Sequence, residues 1–120
     1  MAASDGSVPD AGEVLWIDFG APVGREQGGR RPALVISPRE YNEHSSVVIV
    51  CPISRRAREW PFNIPLPPLE FVSGFVLVDQ IKVVDPNVRA FRRVGRISAD
   101  MLGEVRGKLA LLLGFSATGF

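Results

Sequence analysis

The sequence has a single cysteine, Cys51, and a single histidine, His44, so several kinds of site are excluded at once. One thiol cannot build a disulfide framework or the thiol cluster that holds structural zinc or an iron–sulfur centre. One imidazole cannot support chemistry that needs two. We therefore expect no metal site and no cofactor.

Long apolar runs are also lacking. No stretch approaches the roughly 20 residues that a membrane-spanning helix needs, and residues 1–12 have neither the basic start nor the apolar centre of a signal peptide. These absences predict a cytoplasmic protein. At 120 residues the chain is long enough to bury one core and too short for two independent ones.

Lysine is scarce: the chain has twelve arginines and two lysines within a net charge of +1. Arginine binds phosphate through paired, planar donors and stacks on aromatic or base planes, which lysine cannot do. Eight arginines fall into two groups along the chain, which are Arg31, Arg55, Arg56 and Arg58, and then Arg89, Arg92, Arg93 and Arg96. A protein with a net charge near zero can therefore still have one strongly basic face. Each arginine taken alone is equally compatible with a solvated charge in a loop.

Short strands dominate the pattern along the chain. Runs of β-branched and aromatic residues predict strands at 13–19, 32–37, 47–53, 74–84 and 91–97. Four prolines between residues 60 and 69 allow only a short edge strand there, because proline removes a ladder donor. The glycine-rich segment Gly20–Arg31 predicts a long loop, and such loops tend to carry function.

Helical spacing occurs only near the C-terminus. Ser98 is predicted to cap a helix with an apolar stripe that ends before Gly114. Gly103 and Gly107 weaken this helix by about 1 kcal/mol each, or mark a close approach to the sheet or to a second subunit. The pattern predicts a mainly β, α+β domain: a small, strongly bent sheet or partly closed barrel.

The domain boundaries follow from the same pattern. Residues 1–11 are small and polar and are predicted to be a disordered leader, with order starting near Glu13. Residues 12–114 form the single domain, and residues 115–120 form a tail. Trp16 and Cys51 are predicted to lie in the core.

The second and third predicted strands should form a hairpin, because only polar, turn-like residues separate them. If this hairpin is symmetric about a turn between Asn42 and Glu43, Arg31 lies opposite Ser54 at its open end. A guanidinium and a hydroxyl then share one rim with the glycine-rich loop and with an arginine-rich tract, residues 55–62. Such residues are also common at strand ends that have no catalytic role.

Four blocks of the sequence resemble, in order and approximate spacing, those of the MazF/PemK toxins. They are Gly12–Phe19, Gly24–Pro38, Tyr41-Asn42 and Val78–Lys82, within a resemblance that spans about residues 11–114. The second block is the most specific, because it joins G-x-E-Q to G-x-R-P and an apolar strand. The resemblance implies an SH3-like or CcdB-like barrel of five to seven strands, a homodimer, and metal-independent, sequence-selective cleavage of single-stranded RNA. It also implies a cognate, MazE-like antitoxin.

Catalytic roles are implied by the same resemblance. The family's catalytic arginine falls on Arg31 and its catalytic threonine on Ser54, where serine keeps the hydroxyl but lacks the stiffening methyl. The RNA 2′-hydroxyl then attacks the adjacent phosphorus and leaves a 2′,3′-cyclic phosphate and a 5′-hydroxyl. A guanidinium is not deprotonated in proteins, so Arg31 is expected to be an acid or charge clamp. Glu26 is the candidate base, or else braces the loop by pairing with an arginine, and Arg30 should point away from the site.

Eight further residues are predicted to contact RNA. Gln27 and Gln80 have amides that can recognise base edges, and Trp60 and Phe62 either stack on bases or pack the base of their loop. Arg25 stands where the family often has serine and adds positive charge. The full set is Arg25, Gln27, Arg55, Arg56, Trp60, Phe62, Gln80 and Lys82.

Two other functions are compatible with such a domain. Gyrase-binding toxins similar to CcdB share the architecture and act without catalysis, but they lack the G-x-E-Q-x-G-x-R-P block. A non-catalytic RNA-binding barrel is the second alternative. Only the ribonuclease is expected to produce discrete RNA fragments in EDTA.

Overall fold

A computed structural model describes residues 7–89 and 91–115, and these form an antiparallel sheet with two α-helices and a 3₁₀ turn. The strands are β1 Glu13–Asp18, β2 Arg30–Val35, β3 Val48–Ser54, β4 Asn63–Pro65, β5 Phe75–Leu77, β6 Lys82–Val84 and β7 Phe91–Arg96. The helices are α1 Arg39–Ser45 and α2 Ala99–Leu112, and the 3₁₀ turn is Val78–Gln80. The sheet order is β4-β5-β3-β2-β1-β7, with β6 also paired to β3, which confirms the mainly β prediction with a C-terminal helix.

The predicted β2–β3 register is confirmed. Ala33 lies opposite Pro52 and Val35 opposite Val50, so extending the same register by two residues places Arg31 opposite Ser54. The connection, however, contains helix α1 where we predicted only turn-like residues. This helix has no side-chain cap of its own, and no apolar stripe marks it in the sequence.

The single long strand predicted over Gly74–Val84 is wrong. The 3₁₀ turn Val78–Gln80 divides it into β5 and β6, which pair with the end and the start of β3 respectively. The break faces Cys51 and Pro52 of β3, and proline has no N–H to donate to a ladder. The interruption places Asp79 and Gln80 next to the loops that border the candidate site.

Buried apolar residues form two clusters, as period-two alternation in β1 requires. Leu15, Ile17 and Phe19 belong to one cluster and Val14 to the other. Cys51 is fully buried, which confirms its predicted core position, and burial raises the pKa of its thiol to about 12.

Helix α2 begins as predicted and packs through one buried residue. The Ser98 hydroxyl accepts a hydrogen bond from the N–H of Met101 at 3.1 Å, and Val105 is buried against the cluster that contains Val14. A Cβ added at Gly103 or Gly107 would meet no atom within 4 Å, so the suggested close approach of these glycines to the sheet is wrong. Neither described α-helix is long and apolar enough to cross a membrane.

The N-terminal segment contacts the domain before β1. Pro9 is buried, and its carbonyl accepts a hydrogen bond from the Asn42 amide at 2.8 Å. The Asp10 carboxylate accepts from the N–H groups of Ala11 and Arg39. The last part of the predicted leader is therefore ordered against α1, whereas residues 1–6, like residues 116–120 of the predicted tail, lie outside the described residues.

Candidate functional site

A groove of about 490 Å³ opens where β2 begins and β3 ends, and we call it the Arg31 groove. Its lining consists of Trp16, Arg30, Arg31, Pro32, Ile53, Ser54, Arg55, Arg56, Leu69, Glu70, Phe71, Val72 and Ser73. Four of these residues are arginines and one is a carboxylate. The groove is therefore suited to an anion larger than a simple ion.

Arg31 is held by the glycine-rich loop. Its Nε donates to the carbonyl oxygen of Gly28 at 2.9 Å, and no carboxylate of a described residue lies within ion-pair distance of its guanidinium. Gly28 is buried, and a Cβ at this position would lie 2.4 Å from the backbone nitrogen of Pro22. The tight loop that orients Arg31 therefore requires a glycine here.

Arg30 does not point away from the site, so that expectation is wrong. Arg30 and Arg31 both line the groove, because they are the first two residues of β2 and lie at its rim. Trp16, predicted to be core, is half-buried and lines the same groove opposite Pro32. Its position on the face of β1 away from Leu15 follows from the period-two pattern, and that was the signal available in the sequence.

Ser54 is 8% exposed at the end of β3. Its hydroxyl donates to the carbonyl oxygen of Arg56 at 2.7 Å and accepts from the N–H of Arg56 at 3.3 Å. The hydroxyl therefore shapes the turn that presents Arg55 and Arg56. Gly74 packs on this strand end so closely that a Cβ would lie 2.2 Å from the Ser54 carbonyl oxygen.

A second groove, of about 880 Å³, lies between the glycine-rich loop and the 3₁₀ turn, and we call it the Gln80 groove. Its lining consists of Val23, Gly24, Arg25, Glu26, Arg58, Asp79, Gln80, Ile81 and Lys82. The Glu26 carboxylate lies 3.5 Å from Lys82 Nζ, which is itself 5.3 Å from the centre of the Phe19 ring. Glu26 thus lines a different groove from Arg31 and braces the loop through a lysine rather than an arginine.

The amide of Gln80 contacts the backbone of the glycine-rich loop. Its Oε1 accepts from the N–H of Gln27 at 2.8 Å, and its Nε2 donates to the carbonyl oxygen of Arg25 at 3.4 Å. The neighbouring Asp79 accepts from the indole N–H of Trp60 at 2.9 Å. The 3₁₀ turn therefore contacts the glycine-rich loop through Gln80 and Trp60 through Asp79.

The two aromatic residues of the arginine-rich tract differ in exposure. Trp60 is 37% exposed, and the Arg58 guanidinium lies 4.7 Å from its ring centre. Phe62 is half-buried against the core, which matches the packing alternative stated for it, and its ring centre is 5.8 Å from that of Trp60. Trp60 is consequently the better placed of the two for stacking.

Comparison with known proteins places the chain in a family. Residues 10–113 match the family model described as PemK-like, MazF-like toxin of type II toxin-antitoxin system. The chain belongs to this toxin family. The endoribonuclease toxin MazF of Escherichia coli K12 is 33% identical over 107 residues, which cover 89% of this chain and 96% of that protein.

Two solved structures show the same family relationship in three dimensions. The crystal structure of MazF from Deinococcus radiodurans has a TM-score of 0.83 and 46% identity, covering 90% of this chain and 98% of that one. A MazE–MazF crystal structure from the same organism has a TM-score of 0.79 and 45% identity, covering 91% and 99%.

Eight of the eleven predicted site residues of this MazF/PemK toxin line one of the two grooves, and Gln27, Trp60 and Phe62 line neither. Arg31, Ser54, Arg55 and Arg56 line the Arg31 groove, while Arg25, Glu26, Gln80 and Lys82 line the Gln80 groove. Arg30, Arg58, Trp16 and Glu70 also line the grooves, and no motif in the sequence predicted a site role for them, although Arg58 belongs to the arginine-rich tract. Within 7–89 and 91–115, no three His, Cys, Asp or Glu side chains form a group that could hold a metal ion.

Proposed function

We propose that this toxin is a sequence-selective endoribonuclease that cleaves single-stranded RNA, including mRNA, without a metal ion. The main support for this proposal is the guanidinium of Arg31. It is fixed through its Nε and has no carboxylate partner among the described residues. Extending the β2–β3 register by two residues sets it opposite Ser54, and both line a groove that contains three more arginines. Relatives named endoribonuclease MazF and endoribonuclease PemK support the same activity.

The reaction needs no group beyond side chains and the RNA itself. The 2′-oxygen forms a bond to phosphorus, the bond from phosphorus to the 5′-oxygen breaks, and protons pass from the 2′-hydroxyl to an acceptor and from a donor to the 5′-oxygen. Arg31 stabilises the charge that builds on the phosphate oxygens, and one fixed donor of this kind contributes about 3–4 kcal/mol. Ser54 holds the neighbouring turn in place so that Arg55 and Arg56 face the same phosphate region.

The mechanism also requires an acceptor for the proton of the 2′-hydroxyl. Glu26 was the sequence-based candidate, but it lines the Gln80 groove and pairs with Lys82. Glu70 is the carboxylate that lines the Arg31 groove. An acceptor must lie within hydrogen-bond reach of the attacking hydroxyl, and we assign this role to Glu70 because it shares the groove with Arg31.

The exposed apolar residues of α2 and the relatives of this toxin support two further proposals, which are a homodimer and inhibition by an antitoxin. Leu111 and Leu113 at the end of α2 are 56% and 61% exposed, which favours a homodimer that covers them. The Deinococcus MazF forms a crystal with its MazE partner. By analogy, an acidic, MazE-like antitoxin segment is proposed to bind the arginine-rich grooves of this toxin and exclude RNA in the cytoplasm.

The deciding experiment incubates the purified toxin with a long single-stranded RNA in EDTA. Discrete fragments that carry 2′,3′-cyclic phosphate and 5′-hydroxyl ends are expected. Intact RNA would favour a gyrase-binding toxin or a non-catalytic RNA-binding protein, and 5′-phosphate ends would contradict the proposed chemistry.

In the same assay Glu70→Gln should lower the rate by about 100-fold and Glu26→Gln by much less, and the reverse order would return the acceptor role to Glu26.

A further inference from the structure

Gln80 joins two segments that are distant in the sequence. Its amide oxygen accepts from the N–H of Gln27, 53 residues away, and its amide nitrogen donates to the carbonyl oxygen of Arg25, 55 residues away. The 3₁₀ turn that carries Gln80 also places Val78 in the core, fully buried. Gln80 therefore attaches the glycine-rich loop to the core of the sheet, beside the ion pair of Glu26 with Lys82 of β6.

The same short loop segment orients Arg31. Gly28 directly follows Gln27, and its carbonyl oxygen accepts from Arg31 Nε at 2.9 Å. The backbone between residues 25 and 28 is thus held by Gln80 on one side and holds the guanidinium on the other. Displacement of a catalytic group by about 1 Å can lower the rate by about 100-fold. A looser segment 25–28 should therefore displace the Arg31 guanidinium and slow the reaction.

A direct role in reading bases would require the amide of Gln80 to be available. Its oxygen and its nitrogen both have backbone partners in the loop, and the residue is half-buried. Arg25 and Arg58 line the same groove with exposed side chains and are better placed to contact RNA.

We propose that Gln80 is a positioning residue: it fixes the loop 25–28 and, through the Gly28 carbonyl, the guanidinium of Arg31. The inference rests on the proposed RNA cleavage. It assigns Gln80 to the rate of the bond-breaking step rather than to RNA affinity or to the choice of sequence.

The test measures single-turnover cleavage at saturating RNA, together with RNA affinity. Gln80→Leu removes both contacts and is expected to lower the rate by about 10- to 100-fold while affinity changes by less than about 3-fold. Gln80→Glu keeps the acceptor for Gln27 but loses the donor to Arg25, so a smaller loss, about 5-fold, is expected. The matched control Asn87→Leu exchanges an exposed amide outside both grooves and should cleave at the wild-type rate.

A double-mutant cycle with Arg31→Ala separates positioning from an independent role. If Gln80 acts through Arg31, the double variant should cleave at the rate of Arg31→Ala alone, whereas multiplying losses would overturn the inference. Amide hydrogen exchange should also accelerate at Gln27 in Gln80→Leu, with the β2 and β3 amides unchanged.

The outcomes of this test distinguish the two proposals. A wild-type chain that leaves RNA intact would refute the proposed function. A wild-type chain that cleaves, beside a Gln80→Leu chain that cleaves equally fast or only shifts its preferred sequence, would refute the role of Gln80. If Gln80→Leu does not fold, Gln80→Glu decides alone, and a wild-type rate in that variant overturns the inference.

Discussion

Arg30 and Arg31 are neighbours that line one groove, yet the chain holds them differently. Arg31 is half-buried and bonded to the Gly28 carbonyl, whereas Arg30 is exposed and has no side-chain hydrogen bond among the described residues. A fixed guanidinium can be aimed at charge that develops only in the transition state. An exposed one attracts the phosphate backbone throughout the reaction, so the two residues should affect different kinetic quantities.

Arg31→Ala is expected to lower the cleavage rate by about 100-fold or more, with a much smaller loss of RNA affinity. Arg31→Lys should restore little, because lysine cannot present two parallel donors to a phosphate. Single-turnover cleavage and equilibrium binding to an RNA of fixed sequence measure the two effects.

Arg30→Ala is the comparison variant. It should keep the rate at saturating RNA, weaken binding and reduce the salt dependence of binding by about 0.7 in the logarithmic slope. An inactive Arg30→Ala beside an active Arg31→Ala would transfer the catalytic role to Arg30.

Among the elements, helix α1 depends on a residue outside itself. Pro38 precedes the helix without a side-chain cap, and the Asp10 carboxylate accepts from the N–H of Arg39 at 3.0 Å. Burial raises the pKa of Asp10, but hydrogen bonds from the Arg39 and Ala11 N–H groups and the charges of Arg39 and Arg96 outweigh it, so the pKa lies below its usual 3.8. The N-terminal segment and α1 therefore stabilise each other.

Asp10→Ala should lower the free energy of unfolding by about 1 kcal/mol at neutral pH, the usual cost of losing a helix cap. The pKa of Asp10 is lower in the folded state, so its contribution is present above the unfolded value of 3.8 and is lost as the pH falls through the folded value. Urea unfolding at pH 7 and below pH 3.8 should show the difference from wild type shrinking at the lower pH. Glu43→Ala, an exposed change on α1, should alter stability by less than about 0.5 kcal/mol at either pH.

For the whole molecule, the apolar end of α2 is the feature that a monomer leaves uncovered. Leu111, Leu112 and Leu113 are 36–61% exposed, although the middle of the helix packs through Val105. Gly103 and Gly107 leave open space on the same helix, and this is compatible with the close approach of a second copy. The bent sheet alone therefore does not account for the apolar stripe of α2.

The purified chain is expected to be a dimer at micromolar concentration, as measured by light scattering or sedimentation. Leu111→Asp combined with Leu113→Asp should shift it to monomer, because burying two carboxylates in an apolar interface is costly. Val88→Asp, at a site 80% exposed between β6 and β7, serves as the control and should remain dimeric. A wild-type chain that stays monomeric would remove the dimer proposal.

Features that depend on short-range rules could be predicted from the amino-acid sequence. Period-two alternation gave the buried face of β1, the Ser98 cap gave the start of α2, and a symmetric connection gave the register that sets Arg31 opposite Ser54. Each of these depends on a few neighbouring residues, or on a count along one hairpin. The sequence blocks shared with the MazF/PemK family identified the glycine-rich loop and the strand ends of the site, because each block is a short stretch of neighbouring residues.

The contacts between these elements could not be predicted in the same way, because they depend on how the chain folds. The division of the predicted strand at Val78–Gln80 depends on what β3 offers opposite it, and the cap of α1 comes from Asp10, 29 residues away from Arg39. Glu26 and Arg31 are five residues apart in the chain, yet they line different grooves, because the loop between them folds back to the 3₁₀ turn. The partners of an amide or carboxylate are set by the distances that folding creates, and no local pattern encodes them.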